Sequence, residues 1–513
     1  MNSLLSKITE HINNTRYLEA EELGWQLYNQ NKKDFVNIKT LALTLLLQNK
    51  HHGALDFYLK AYELDKKDYD ILVNISYLYN LFEEFQLSYD FCQKALEINT
   101  EDHLPYITLI DLLIKKRNFE EAYNYSNELL KRIDFQNFIK KPNVIYLVLD
   151  SYLAANKQDE ALKLINYFYQ KVFNADIFYY HSTFSPETIS KEIEKVALKI
   201  SEKTDFNSLI ERGTTLGPLY FGLAKYNEKI KNKELSDEQY IKANNEIFSI
   251  QRYQPMANQK LVNNIKNIFI NNIDLDYVSS EDDGLIFIVG MPRSGTTLVE
   301  SIIASNKECI SGGELRSIYD IFKSRYEFDN EVVNIQDPAN TYLQRIKFIR
   351  GDKKYFIDKL PGNYHNVGFI KKIFPNSKII YLKRDPWDTA ISLFKQFYVS
   401  NIPYASSFFN LGVVYANHEE LMRFWEQDQK IDFLTIAYED LVKDTGTIAQ
   451  KIYDFCKIEG AYKSDERKNY FARTASKNQV TKDIHTQSIG KKSFESLKSD
   501  FLTSLENQRV YWH

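Results

Sequence analysis

Small residues recur at one fixed interval in the amino-terminal half of this 513-residue chain: Ala20, Ala54, Ser88 and Ala122 are each 34 positions apart. A period of that length is one supersecondary unit, and the spacing inside it is helical. Tyr58 and Ala61 stand four and seven residues after Ala54, on one face of a 3.6-residue helix, and Cys92 and Ala95 repeat those offsets after Ser88. Twelve residues upstream of two of the key positions, Ala42 and Ser76 supply a matching small residue on the preceding helix. The pattern predicts paired helices in close contact, each pair hiding its apolar stripe only against its neighbours.

Ala161 begins a further unit after a short insertion, and Ala224, Ser236, Tyr240 and Ala243 reproduce the offsets once more. The array resembles tetratricopeptide hairpins and is expected over residues 1–250 as an all-α solenoid, interrupted near 170–215. Such a stack offers a concave face to an acceptor peptide or partner protein; a plainer role is to cap the rest of the chain or join it into a homodimer. Residues 251–283 follow as a linker whose last part, NNIDLDYVSSEDD, is polar and acidic with no apolar period. A second domain is expected at 284–513.

With 44% hydrophobic and 14% aromatic residues the chain can bury more than one core. Its 65 basic and 69 acidic residues leave a formal charge of −4, so there is no broad positive field for nucleic acid or anionic lipid, and any anion site has to be local. Cys92, Cys309 and Cys456 are isolated from one another, which points to neither a disulfide framework nor a zinc site but to three buried thiols. The first twenty residues lack the basic-then-apolar form of a leader, and no apolar run reaches membrane-spanning length. A soluble, cytoplasmic protein without a membrane partner is expected.

Residues 284–298, GLIFIVGMPRSGTTL, combine a β-prone run, a Gly-bounded polar loop and a helix start. Such a junction turns successive backbone N–H groups and a helix N-terminus towards an anion. Gly290 and Gly295 have the spacing of a nucleotide-binding P-loop, but Thr296 stands where the phosphate-gripping Lys would be, which argues against ATP or GTP. Arg293 inside the loop is instead a planar cation able to hold two oxyanions. The string PRSGTTL resembles the 5′-phosphosulfate loop of sulfotransferases that use 3′-phosphoadenosine 5′-phosphosulfate (PAPS), in particular the tyrosylprotein-sulfotransferase-like group. That resemblance implies an α/β domain of P-loop type with a mostly parallel sheet, and assigns Arg293, Ser294, Gly295, Thr296 and Thr297 to the donor.

The remaining motifs follow in the family's order. Glu314, in SGGELRSIYDIF, is expected to open a helix; as a first-turn acid it would complement the helix dipole, and by the resemblance it is the general base that takes the acceptor's proton. Lys359 ends a short strand in KKYFIDKLPGN, where a cation stabilises the departing phosphate oxygen, while Asp358 beside it would be a metal ligand only in a nucleoside-triphosphatase. In KRDPWDTAISLF, Arg384 follows a strand, Asp385-Pro386 caps a helix, and Ser392 lies two turns along it. The resemblance gives Arg384 and Ser392 to the donor's 3′-phosphate, Tyr438 of YEDL to the nucleotide, and Ser476 and Lys491 to a closing loop. No metal is required, since fixed cations take its place. The expected reaction is sulfonate transfer to a hydroxyl, most readily a protein tyrosine, with saccharides or small alcohols as alternative acceptors. A kinase-like phosphotransferase and a non-catalytic repeat scaffold are the competing classes.

Overall fold

In a computed structural model, which describes residues 2–251, 253–271, 284–326, 335, 337–398, 402–467, 470–471, 489–490 and 492–512, the chain forms two compact units. One comprises Met1–Phe138 with Arg316–Ile349, the other Ile139–Leu315 with Arg350–His513.

The first unit is helical. Ala20, Ala54, Ser88 and Ala122 are each the fourth residue of a helix, in Tyr17–Gln30, His51–Leu64, Phe85–Ile98 and Phe119–Arg132, and all four are fully buried. The 34-residue period is also written in the backbone. Thr15, Asn49, Glu83 and Arg117 have φ of 57°, 58°, 61° and 61°, each five residues before a key small residue. These left-handed turns reverse the chain between antiparallel helices. Asp34 and Asp68 cap the next helix of their pairs, each accepting a backbone N–H at 3.0 Å. Ser88 Oγ donates to the Ser76 carbonyl at 2.7 Å, the close approach that small residues permit.

Residues of the carboxy-terminal half also belong to this unit. The Glu83 carboxylate accepts the amides of Arg316 and Ser317, each at 2.8 Å, and the Ser317 hydroxyl at 2.5 Å, so it caps the helix Ser317–Tyr326. Arg345 donates to Glu84 at 2.9 Å, and Phe348 meets Phe85 with ring centroids 6.4 Å apart.

In the second unit, Asn156 and Lys231 again have left-handed φ, five residues before Ala161 and Ser236. Ser236 Oγ donates to the Ala224 carbonyl at 2.8 Å, as Ser88 does to Ser76. The hairpin of Leu209–Lys229 and Lys233–Ile250 shares one hydrophobic core with the α/β part: Phe221, Ala224, Tyr240 and Ala243 pack with Trp387, Phe394, Phe408 and Phe494. The compact units therefore divide the chain elsewhere than at the acidic stretch before residue 284.

Among the described residues, five parallel strands form the sheet: β1 (Leu285–Gly290), β2 (Cys309–Gly313), β3 (Tyr355–Asp358), β4 (Lys378–Lys383) and β5 (Leu434–Ala437), in the order β2-β3-β1-β4-β5. β1 is central and buried along its whole length, as its unbroken apolar run requires. The chain leaves β1 towards β2 on one side and later crosses to β4 on the other, so the crevice beyond the carboxyl ends of β1 and β4 is a topological switch point. The helices Thr296–Ala304 and Thr445–Cys456 cover one face with Val299, Ile302, Ile303, Ile452 and Cys456. Cys92, Cys309 and Cys456 are all buried free thiols. Among the described residues no helix is long and apolar enough to cross a membrane.

Candidate active site

The turn after β1 is built around two glycines and one strained residue. A Cβ at Gly290 would stand 2.6 Å from the Leu382 carbonyl of β4, and one at Gly295 would stand 2.4 Å from the Tyr438 ring. Both have positive φ, 146° and 108°. Arg293 between them has φ 70°, uncommon for a residue with a side chain and typical of a turn whose surroundings over-determine it. The helix Thr296–Ala304 starts directly after Gly295, and its first amides have no intrahelical partner. Ser294 is buried, and its hydroxyl has no hydrogen-bond partner among the described residues. A buried hydroxyl of that kind, beside a helix N-terminus, fits an oxyanion.

The junction after β4 meets this turn directly. Arg384 Nη1 donates to the Arg293 carbonyl at 2.8 Å, and Arg293 Nε donates to Ser392 Oγ at 3.1 Å. The Arg384 guanidinium lies 4.4 Å over the Tyr438 ring, so Tyr438 touches both the turn and the arginine. Burial lowers the pKa of Arg384, against the opposing pull of Tyr438 and Asp388. Asp385 caps the helix Pro386–Phe394 by accepting the Asp388 amide at 2.8 Å, with Pro386 at the first helical position. Asp388 Oδ2 in turn accepts the Gly490 amide at 2.7 Å. Ser476 and Lys491 lie outside the described residues.

Glu314 follows the end of β2 and does not open a helix; the helix begins at Ser317. Strand pairing explains the difference: the Gly313 carbonyl accepts the Lys359 amide at 2.9 Å, so the chain is still on the sheet at Gly313. Lys359 Nζ pairs with Glu314 Oε1 and lies 3.7 Å from Glu300 Oε2. Lys359 is 0% exposed and Glu300 2%, whereas the Glu314 side chain is 44% exposed. Burial acts to depress the Lys359 pKa, but the charges of Glu314 and Glu300 outweigh it and the pKa is raised, so the ammonium stays charged.

Glu300 is the site residue that sequence reasoning missed. It accepts from Ser311 Oγ at 2.5 Å and from Tyr470 Oη at 2.9 Å. The signal was a lone acid in TLVESIIA, a helix whose other residues are apolar or small; a charge there has to be buried and paired. The structure thus brings Arg293, Ser392, Arg384 and Tyr438 together by direct contacts, places Ser294 next to Arg293 in the turn, and joins Glu314 to Lys359 at the carboxyl end of the neighbouring strands. Asp358 is buried, with Asn363 Nδ2 at 3.5 Å from its carboxylate.

Residues 286–462 match the model of the sulfotransferase family. An uncharacterized protein of Aquifex aeolicus is 26% identical over 341 residues, covering 60% of this chain and 44% of that one. Protein-tyrosine sulfotransferase 1 of Danio rerio is 29% identical over 128 residues, 22% of this chain and 36% of its own length; protein-tyrosine sulfotransferase A of Caenorhabditis elegans is 30% identical over 134 residues, 22% and 35%. The chain thus spans less than half the length of these relatives. Among solved structures, the sulfotransferase domain of the Synechococcus PCC 7002 olefin synthase aligns with a TM-score of 0.33 and 16% identity over 46% of this chain and 98% of that domain.

Proposed function

We propose that the chain transfers the sulfonate of PAPS to an acceptor hydroxyl, with protein tyrosine as the favoured acceptor. The family match over residues 286–462 supports the chemistry, and the names of the Danio and Caenorhabditis relatives favour the tyrosine. One observation carries the reading: the turn after β1 and the junction after β4 hydrogen-bond to each other through Arg384, Arg293 and Ser392, so a single nucleotide with an anionic group at both its 5′ and 3′ positions would meet both.

In this reading the loop amides with Ser294, Gly295, Thr296 and Thr297 hold the 5′-phosphosulfate, Arg384 and Ser392 the 3′-phosphate, and Tyr438 the nucleoside, with Ser476 and Lys491 closing over them. The half-exposed Glu314 takes the acceptor's proton as the acceptor oxygen bonds to sulfur and the bond from sulfur to the bridging phosphate oxygen breaks. Charge grows on that departing oxygen, and Lys359 and Arg293 neutralise it. Glu300 acts from behind, keeping the buried Lys359 charged when Glu314 turns towards the acceptor. The 34-residue repeats are read as tetratricopeptide hairpins that hold an acceptor peptide or a second copy, in the cytoplasm.

Transfer of radiolabelled sulfonate from PAPS to tyrosine peptides, saccharides and small phenols tests the reading; no labelled product from any of them would sink it. Glu314→Ala should bind adenosine 3′,5′-bisphosphate as the wild type does while transfer falls by about 100-fold or more. An unimpaired rate would remove Glu314 from the mechanism.

A further inference from the structure

The residues matching the family model begin at 286, and Lys225, outside them, lies against the carboxyl end of the helix that carries Ser392. We propose that Lys225, on the helix Leu209–Lys229, is a further oxyanion ligand of this nucleotide site, sharing either the 5′ group with Arg293 or the 3′-phosphate with Ser392; the inference rests on the donor reading above.

Lys225 follows Ala224, which belongs to one hydrophobic core with Phe394 and Phe408 near the end of the helix that carries Ser392. Phe221, one turn earlier, meets Phe397 with centroids 5.6 Å apart. Asn244, on the partner helix of the hairpin, donates to the Phe394 carbonyl at 2.8 Å. The hairpin is therefore fixed against the carboxyl end of the helix Pro386–Phe394, and Lys225 is placed by rigid elements. Its ammonium reaches the Lys395 carbonyl at 3.5 Å, too long for a strong charge-assisted bond. Among the described residues Lys225 has no carboxylate at ion-pair distance. The neighbouring acids are engaged elsewhere: Glu228 pairs with Lys395 at 3.0 Å and accepts from Tyr240 at 3.1 Å, and Asp237 stands 3.5 Å from Lys395.

Glu228 acts on this cation through space, but its carboxylate is bonded to Lys395 and Tyr240 rather than to Lys225. Burial pushes the Lys225 pKa down to about 8, with Arg293 and Lys395 adding to the fall and Glu228 opposing it. A bound oxyanion would reverse that balance, because an anion beside an ammonium favours the charged form. Capping of the Lys395 carbonyl is the competing role. It would leave nucleotide affinity independent of the ammonium's charge.

Calorimetry on the full chain separates the two. For wild type, Lys225→Gln and Lys225→Arg, adenosine 3′,5′-bisphosphate and AMP are titrated at pH 7, and the bisphosphate is followed upward in pH. Lys225→Gln should weaken bisphosphate binding by about tenfold, and Lys225→Arg should restore it. Wild-type affinity should fall between about pH 7.5 and 9.5 while that of Lys225→Arg stays level, since only the lysine loses its charge there. If AMP binding is unaffected by Lys225→Gln, the shared group is the 3′-phosphate; if AMP weakens equally, it is the 5′ group. Equal affinity of wild type and Lys225→Gln, with equal melting temperatures, overturns the inference and leaves the donor reading standing. A wild type that does not bind the bisphosphate overturns the donor reading instead, and the same comparison with pyrophosphate then decides whether Lys225 holds an oxyanion.

Discussion

Lys359 sits fully buried between the carboxylates of Glu300 and Glu314, and its raised pKa has a direct consequence for stability. A lysine whose folded pKa exceeds its unfolded value contributes stability that is fully present below the unfolded value of 10.5 and is lost as pH rises through the folded one. Across neutral pH the contribution is therefore constant. Among the described residues, Lys359→Ala leaves the buried Glu300 with two hydroxyl donors, and should cost about 3 kcal/mol in urea unfolding at pH 7; on the proposed function it also abolishes transfer. Unchanged stability would mean that water replaces the ammonium beside Glu300. Lys359 was legible from sequence because a cation at a strand end is conspicuous. Its second partner was not, since Glu300 and Lys359 are 59 positions apart and meet only once β1 and β3 pair.

At the scale of elements, the helical hairpins were the most legible part. A fixed period with small residues at the closest approach is a local signal, and the left-handed turns of the array lie five residues ahead of them. β2 left no such signal. CISGG is short and glycine-rich, and it is held as a strand by ladder bonds to β3 rather than by its own propensity. Missing it moved Glu314 onto a helix that starts only at Ser317. The cap of that helix was equally hidden, because it comes from Glu83, more than 200 residues away in the chain. Glu83→Ala removes acceptors from two amides and a hydroxyl, and should destabilise the protein by about 1–3 kcal/mol in denaturant unfolding. A loss below about 0.5 kcal/mol would show that water replaces the carboxylate at those groups.

For the molecule as a whole, three histidines among the described residues should weigh on the acid side of the stability curve. Burial lowers the pKa of His181 and His365 to about 4 and that of His418 to about 3. The unfolded chain takes up these protons near pH 6.5 and the folded chain does not, so stability should fall steadily as pH drops from about 6.5 towards 4. His418→Phe should flatten that slope, its two ring nitrogens having no hydrogen bond to lose among the described residues; an unchanged slope would refute the assignment. The thiols respond to the same global event. Burial raises the pKa of Cys92, Cys309 and Cys456 to about 12, so a thiol reagent at pH 8 should label them only at the rate of unfolding.

Features that depend on spacing along the chain are readable without a structure: the helical period, the glycine-bounded turn after an apolar strand, the Asp-Pro helix start, and the residue types gathered at strand ends. Tertiary structure alone decided which of these meet. The Glu300–Lys359–Glu314 charge network, the Glu83 cap and the core shared by the Lys225 helix and the one that carries Ser392 all join groups far apart in sequence. A buried charge is tolerated only where its partner arrives, and that arrival is fixed by how the strands and helices pack, not by any local preference of the residues themselves.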